Sequence, residues 1–389
     1  MNVPLLDLKA QYKTIKKEID ETLIRVAESQ YFILGPDVEK LENDICNYIG
    51  AKKAIGVSSG TDALLIALMA IDIKPGDEVI VPTYSFFATA GVVARLNAIP
   101  VFVDSDPVTF NIDPKQIELA ITEKTKAIVP VHLYGQSAEM DEIMAIAKRH
   151  NLKVIEDGAQ AIGVQYKDGR YVGTIGDIGC FSFFPSKNLG GFGDGGIVTT
   201  MDDQLAERLK ILRVHGGKPK YFHKIIGGNF RLDAIQAAVL SVKLPHLDNW
   251  SEKRRTNANL YTKLFIEAGL AECEGKLTLD DKNKVLLPAP VYKKDSLKNY
   301  HIYNQYVIRV EKRDELIKFL KENGIGSEIY YPVPFHKQEC FTYLPVNPKI
   351  SFTNADYAAN HSMALPIYPE LSEEQIKYVV EKINEFLNN

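Results

Sequence analysis

Four cysteines in 389 residues, Cys46, Cys180, Cys273 and Cys340, lie far apart and without the spacing of a metal-ligand set. Nothing at the amino terminus resembles a signal peptide, so the expectation is a reduced, cytoplasmic protein. No window approaches the roughly 18 uninterrupted apolar residues of a membrane span. Long basic tails are absent, and a formal net charge of −4 offers no global attraction to nucleic acid or an anionic membrane. An anionic ligand must therefore be held by a local site. Internal repeats and low-complexity segments are lacking too. What is present, 46% hydrophobic and 25% charged residues over this length, is enough to bury a large core and exceeds the usual size of one domain. The pattern predicts a large domain over residues 1–245, including the amino-terminal segment, and a smaller one over 246–389.

Between about residues 50 and 200, short β-branched runs alternate with longer amphipathic segments. Ala54 to Val57, Glu78 to Val81, Pro100 to Val103, Ala127 to Val131 and Lys153 to Ile155 read as strands, with Asp62 to Ala70 and Met140 to His150 among the helices between them. This alternation predicts an α/β fold, a mostly parallel sheet with helices on both faces. Ligands of such sheets gather beyond the carboxyl ends of the strands. The clusters Ser58 to Thr61, Asp104 to Asp106, His132 to Gly135 and Glu156 to Gly158 all follow strands and should share one rim. Leu8 to Ser29 has helical periodicity and could pack on either domain, and Pro36 can begin another helix. A long helix is expected over Asn249 to Gly269, and a last one over Ser372 to Leu387.

The densest chemical signal is Gly179 to Gly196. Lys187, between an apolar strand and a glycine-rich loop, is poorly solvated, which favours the neutral amine that forms a Schiff base. The alternative is a solvated loop charge. Gly191 to Gly196 also satisfies G-x-G-x-x-G, but Ile197 to Thr200 reads as a strand where a dinucleotide fingerprint needs a helix. Asp157, ending a strand, is suited to keep a pyridinium nitrogen protonated, or else is a cap or surface carboxylate. Ser59, Gly60 and Thr61, at the start of a helix, are either a phosphate cradle or a cap without a ligand.

The segments Ser59 to Leu64, Glu156 to Gln160, Phe181 to Gly196 and Gly228 to Ala238 together resemble the DegT/DnrJ/EryC1/StrS family of sugar aminotransferases. The resemblance runs from Pro4 to Pro369. It implies the pyridoxal phosphate-dependent transferase fold type I, with a smaller α+β carboxy-terminal domain. Carried over position by position, it makes Lys187 the covalent anchor of pyridoxal 5′-phosphate and Asp157 the partner of the pyridine nitrogen. It gives Gly60, Thr61 and Ser182 to the phosphate, Gln160 to the ring and its phenolic oxygen, and Phe86 to the ring face. It implies that Asn229 reaches the phosphate of a neighbouring subunit, and hence a homodimer with shared sites. Family members that are dehydratases carry histidine in place of the lysine; this chain retains Lys187, so transamination is expected, with L-glutamate as donor and Lys187 as proton shuttle.

For a nucleotide-linked keto sugar the candidates are Lys220, Arg231, Tyr331 and His336. Lys220 lies in a basic stretch interleaved with aromatics, Gly217 to Lys224, which either meets a diphosphate and nucleobase or is a solvated loop. Arg231 could pair bidentately with a carboxylate or phosphate, or be structural. Tyr331 and His336 lie in Tyr330 to His336, which resembles a loop that contacts the sugar nucleotide in relatives. The preferred expectation is a UDP-linked 2-acetamido-3-keto-glucose, aminated to a 2,3-diamino sugar for lipid A or another surface polysaccharide. The 3-keto uronic acid analogue and dTDP-linked 3-keto or 4-keto-6-deoxy sugars follow. A non-catalytic regulatory or binding protein on the same fold is the alternative of a different class.

Overall fold

The computed structural model describes residues 1–345 and 347–388. Among these residues seven strands form the central sheet: β1 (Lys53–Val57), β2 (Glu78–Pro82), β3 (Ile99–Val103), β4 (Thr125–Ile128), β5 (Lys153–Asp157), β6 (Ile178–Ser182) and β7 (Gly196–Thr200). Their order is β1-β7-β6-β5-β4-β2-β3. β3, β2, β4, β5 and β6 are mutually parallel, and β7 runs antiparallel to both β6 and β1. Two reversals leave β1 parallel to β6, so the carboxyl ends of all strands but β7 meet at one rim. The glycine-rich loop after β6 turns the chain straight back into β7.

The strands are apolar on both faces because helices cover both. The helix Gly60–Ala70 is buried almost all round, wedged among the sheet and the helices Ala88–Arg95 and Asp203–Leu212. On the opposite face Val38, Leu41 and Ile45 of the helix Pro36–Ile49 pack with Phe181, Phe183 and Leu240. β4 ends earlier than its apolar run suggests. Pro130 has no N–H for the ladder, and beyond it Val131 keeps only a single bridge to Asp157. The long helix spans Leu247–Glu267, stopping two residues short of expectation because Gly269 takes the left-handed conformation (φ +68°) that terminates helices.

That helix runs through two cores: Leu247 packs with the large sheet, whereas Ala258, Tyr261 and Phe265 pack with a second core. The second core lies on the antiparallel strands β8 (Val285–Leu286), β9 (Tyr306–Val310) and β10 (Ser362–Leu365), with the helices Arg313–Glu322 and Glu373–Asn388. The amino-terminal segment joins both. Val3 is buried in the second core through backbone bonds with Gly324 and Gly326, while the helix Leu8–Ser29 lays Ile15 and Ile19 against Val239 and Trp250. A return crossing brings Phe335 and Phe341 from the carboxy-terminal part onto the core of the large sheet. Among the described residues, no helix is long and apolar enough to cross a membrane.

Candidate active site

Asp157 ends β5 and is only 4% exposed. Thr89 Oγ1 donates to Oδ2 at 2.8 Å and the Ala159 amide donates to Oδ1 at 3.1 Å. Burial raises its pKa, and these donors together with the charge of Lys187 offset this only in part. No cation pairs with Asp157 among the described residues. A buried carboxylate in that condition calls for a cationic hydrogen-bond donor, and a protonated pyridine nitrogen is one.

Lys187 follows β6, its amide donating to Phe184 O at 2.8 Å. The loop around it is tight enough that a Cβ on Gly190 would lie 2.3 Å from Pro185 O. Lys187 is half-buried, and burial by the protein around it lowers its pKa to about 8, against the opposing charge of Asp157. An amine in this range is substantially neutral near pH 8 and is a competent nucleophile and base. Lys243, buried and also lowered to about 8 by burial, donates to Gly190 O at 2.5 Å and props the same loop.

The helix Gly60–Ala70 points its amino terminus at this rim. Its first N–H groups have no partners within the helix, apart from the Asp62 amide, which Ser59 Oγ accepts at 3.0 Å. Gly60 lets the helix approach β6 closely, since a Cβ there would sit 2.6 Å from the Ser182 Cβ. Gly60, Thr61 and Ser182 thus form a cradle with the polarity a phosphate needs. Gln160 is fixed in orientation: its Oε1 accepts from the Tyr134 amide at 2.6 Å, so its NH2 group faces Tyr331 Oη at 3.0 Å. Whatever Gln160 offers a ring oxygen is therefore an N–H. Phe86, 57% exposed, lies 6.2 Å from the Tyr331 ring.

The remaining candidates are placed differently. Arg231 bridges to Val57 just before the cradle, and its Nε is buried without a partner. Asn229 is exposed beside Val214, and Lys220 is exposed on its loop with Nζ 5.0 Å from the Tyr221 ring centroid. His336 has both nitrogens engaged, Nδ1 with Thr83 Oγ1 at 2.9 Å and Nε2 with Asp356 at 3.2 Å, and its ring stacks on Phe352. It acts as a tie between the β2 loop and the helix Thr353–His361.

Sequence reasoning passed over Thr89, Lys243 and Glu156. Glu156 and His132 are fully buried beneath Asp157. The Ala138 amide donates to His132 Nδ1, so Nε2 carries the proton and donates to Glu156 at 2.9 Å. Burial alone would push the pKa of Glu156 up, but His132 and the Gly176 and Gly173 amides hold it below the usual glutamate range. The dyad thus anchors the 173–176 loop, while the His132 amide donates to Asp157 O. The adjacent acids Glu156 and Asp157 were the available signal, and strand alternation assigns them to opposite faces.

An amine, a cation-seeking carboxylate, an anion cradle and a directed amide on one rim fit pyridoxal 5′-phosphate. The chain is 54% identical over 386 residues, 99% of each chain, to a protein of Geobacillus stearothermophilus called pleiotropic regulatory protein. It is 42% identical to UDP-N-acetyl-3-dehydro-alpha-D-glucosamine 3-aminotransferase of Acidithiobacillus ferrooxidans, covering 99% of this chain and 98% of the relative. Its fold superposes with a TM-score of 0.90 on S. venezuelae DesV in complex with a ketimine intermediate, at 39% identity, covering 100% and 99% of the two chains. Residues 13–384 match the DegT/DnrJ/EryC1/StrS aminotransferase family, and the chain belongs to that pyridoxal phosphate-dependent family.

Proposed function

We propose that this protein moves an amino group from L-glutamate to the keto group of a nucleotide-linked sugar, with UDP-2-acetamido-3-keto-glucose as the preferred acceptor and a UDP-2,3-diamino sugar as product. The observation that carries the reading is the placement, on one rim, of a lysine lowered to about 8 and a buried carboxylate with no ion-pair partner among the described residues. The bound cofactor supplies an electron sink for the carbanion formed at the substrate carbon. Lys187 would hold it covalently, and its amine would carry the proton to and from that carbon. Asp157 keeps the ring nitrogen charged. Gly60, Thr61 and Ser182 hold the phosphate, Gln160 donates to the phenolic oxygen, and Phe86 covers the ring.

The acceptor is read from the 42% identical relative named for a UDP-linked 3-keto amino sugar; the protein would act in the cytoplasm, and its product would serve lipid A or another surface polysaccharide. Arg231, half-buried beside Val57 at the cradle, favours, as a second reading, the 3-keto glucuronic acid analogue, whose carboxylate its guanidinium would meet. A second copy of the chain completes the site with Asn229. Tyr31, Phe32, Ile33, Phe192, Phe222 and Ile226 are exposed apolar side chains of the kind that association covers. A purely regulatory role, which the name of the 54% identical relative suggests, gives Lys187 and Asp157 no task. The test is amine formation, followed by mass spectrometry, with glutamate and a panel of UDP- and dTDP-linked 3-keto and 4-keto sugars. The fastest product is expected from UDP-2-acetamido-3-keto-glucose; no amine from any member would overturn the proposal.

A further inference from the structure

Asp157 is served from behind by a short line of hydroxyls that the roles given above leave unused. Thr89, in the first turn of the helix Ala88–Arg95, is fully buried and places Oγ1 2.8 Å from Asp157 Oδ2. Ser85, 4% exposed on the loop between β2 and that helix, places Oγ 3.3 Å from Thr89 Oγ1. The carboxylate fixes the direction of the line. An ionised Asp157 only accepts, so Thr89 donates to it, and the proton in the Ser85–Thr89 contact belongs to Ser85. Each hydroxyl is polarised toward the acid, and a bond to an ionised acceptor is about twice as strong as a neutral one. The same five residues carry Phe86, so one loop sets both the ring face and the acid beneath it.

We propose that Thr89, backed by Ser85, is a positioning residue for cofactor binding, which aims the Asp157 carboxylate at the ring nitrogen and maintains its charge. The inference rests on the reading that Asp157 meets that nitrogen. Burial pushes Asp157 toward its neutral form, and the Thr89 hydrogen bond is the largest opposing influence. The other titratable groups around this position are Lys187, His132, Glu156, Cys180 and Tyr331. All of them are retained when Thr89 alone is changed.

The test titrates the cofactor-free protein with pyridoxal 5′-phosphate by absorbance across pH, comparing wild type with Thr89→Val, Thr89→Ser, Ser85→Ala and Asp157→Asn. Thr89→Val keeps shape and removes the donor; affinity should fall roughly tenfold, and Thr89→Ser should recover it to within about twofold. The acid limb of the affinity profile should also move to higher pH in Thr89→Val. Without its donor, Asp157 protonates sooner as pH falls. Wild-type affinity and an unmoved limb in Thr89→Val, or a Thr89→Ser variant as weak as Thr89→Val, overturns the inference. Should Thr89→Val fail to fold, Ser85→Ala decides: a smaller loss of the same sign supports the relay, and none overturns it. Asp157→Asn separates the two levels. If it too binds like wild type, the role given to Asp157 fails; if it weakens binding while Thr89→Val does not, only the role of Thr89 falls.

Discussion

Lys187 is held near 8 by two opposed influences, burial stripping its proton and the charge of Asp157 retaining it. The neutral fraction of such an amine grows about tenfold per pH unit below its pKa and saturates above it. Capture of pyridoxal 5′-phosphate by the cofactor-free protein should therefore accelerate up to about pH 8 and then level off, as stopped-flow absorbance would report; a profile still rising steeply above about pH 10, where an ordinary lysine titrates, would contradict this account. Asp157 raises the lysine's pKa, so Asp157→Asn should move the midpoint of capture downward, not upward. Lys187→Ala, measured by steady-state turnover, should lose activity on the order of 10³-fold or more, because anchor and proton carrier disappear together.

At the scale of elements, the site depends on how closely the helix Gly60–Ala70 approaches β6. Gly60→Ala places a methyl group within 2.6 Å of the Ser182 Cβ, so the helix must retreat from the strand. We expect a loss of about 1–3 kcal/mol in thermal or denaturant unfolding, together with weaker cofactor retention on gel filtration. Unchanged stability would mean that the cradle has more room than the structure shows. This rim was legible in the sequence because alternation of apolar runs with helices fixes which loops meet, whatever the exact strand ends. Thr89 was not legible: its partner is 68 positions away and the contact depends on the spacing of β2 and β5 through β4. Nor was the orientation of Gln160, which the Tyr134 amide imposes from the turn following β4. For His336 the sequence left a substrate contact and a packed histidine open, and the ring's commitment to Thr83 and Asp356 is packing that only the folded chain reveals.

For the whole molecule, the claim is that one chain does not finish its own site. Asn229 and Lys220 are exposed on a segment carrying Phe222 and Ile226, which are 68% and 89% exposed, a surface more apolar than solvent favours. Sedimentation should give a dimer. If Asn229 acts across it, mixed dimers of Lys187→Ala and Asn229→Ala chains contain one intact site. Random reassociation should then restore about a quarter of wild-type activity, whereas an Asn229 that served its own chain would restore nothing. The central claim, that this rim performs amino transfer through Lys187, is tested most directly by the first half-reaction alone. The cofactor-loaded protein is mixed with L-glutamate in the absence of any sugar, while the absorbance of the lysine-bound cofactor and the release of 2-oxoglutarate are followed together. The account predicts that the yellow band bleaches as one equivalent of 2-oxoglutarate forms per subunit; a band that persists, with no keto acid released, would contradict it.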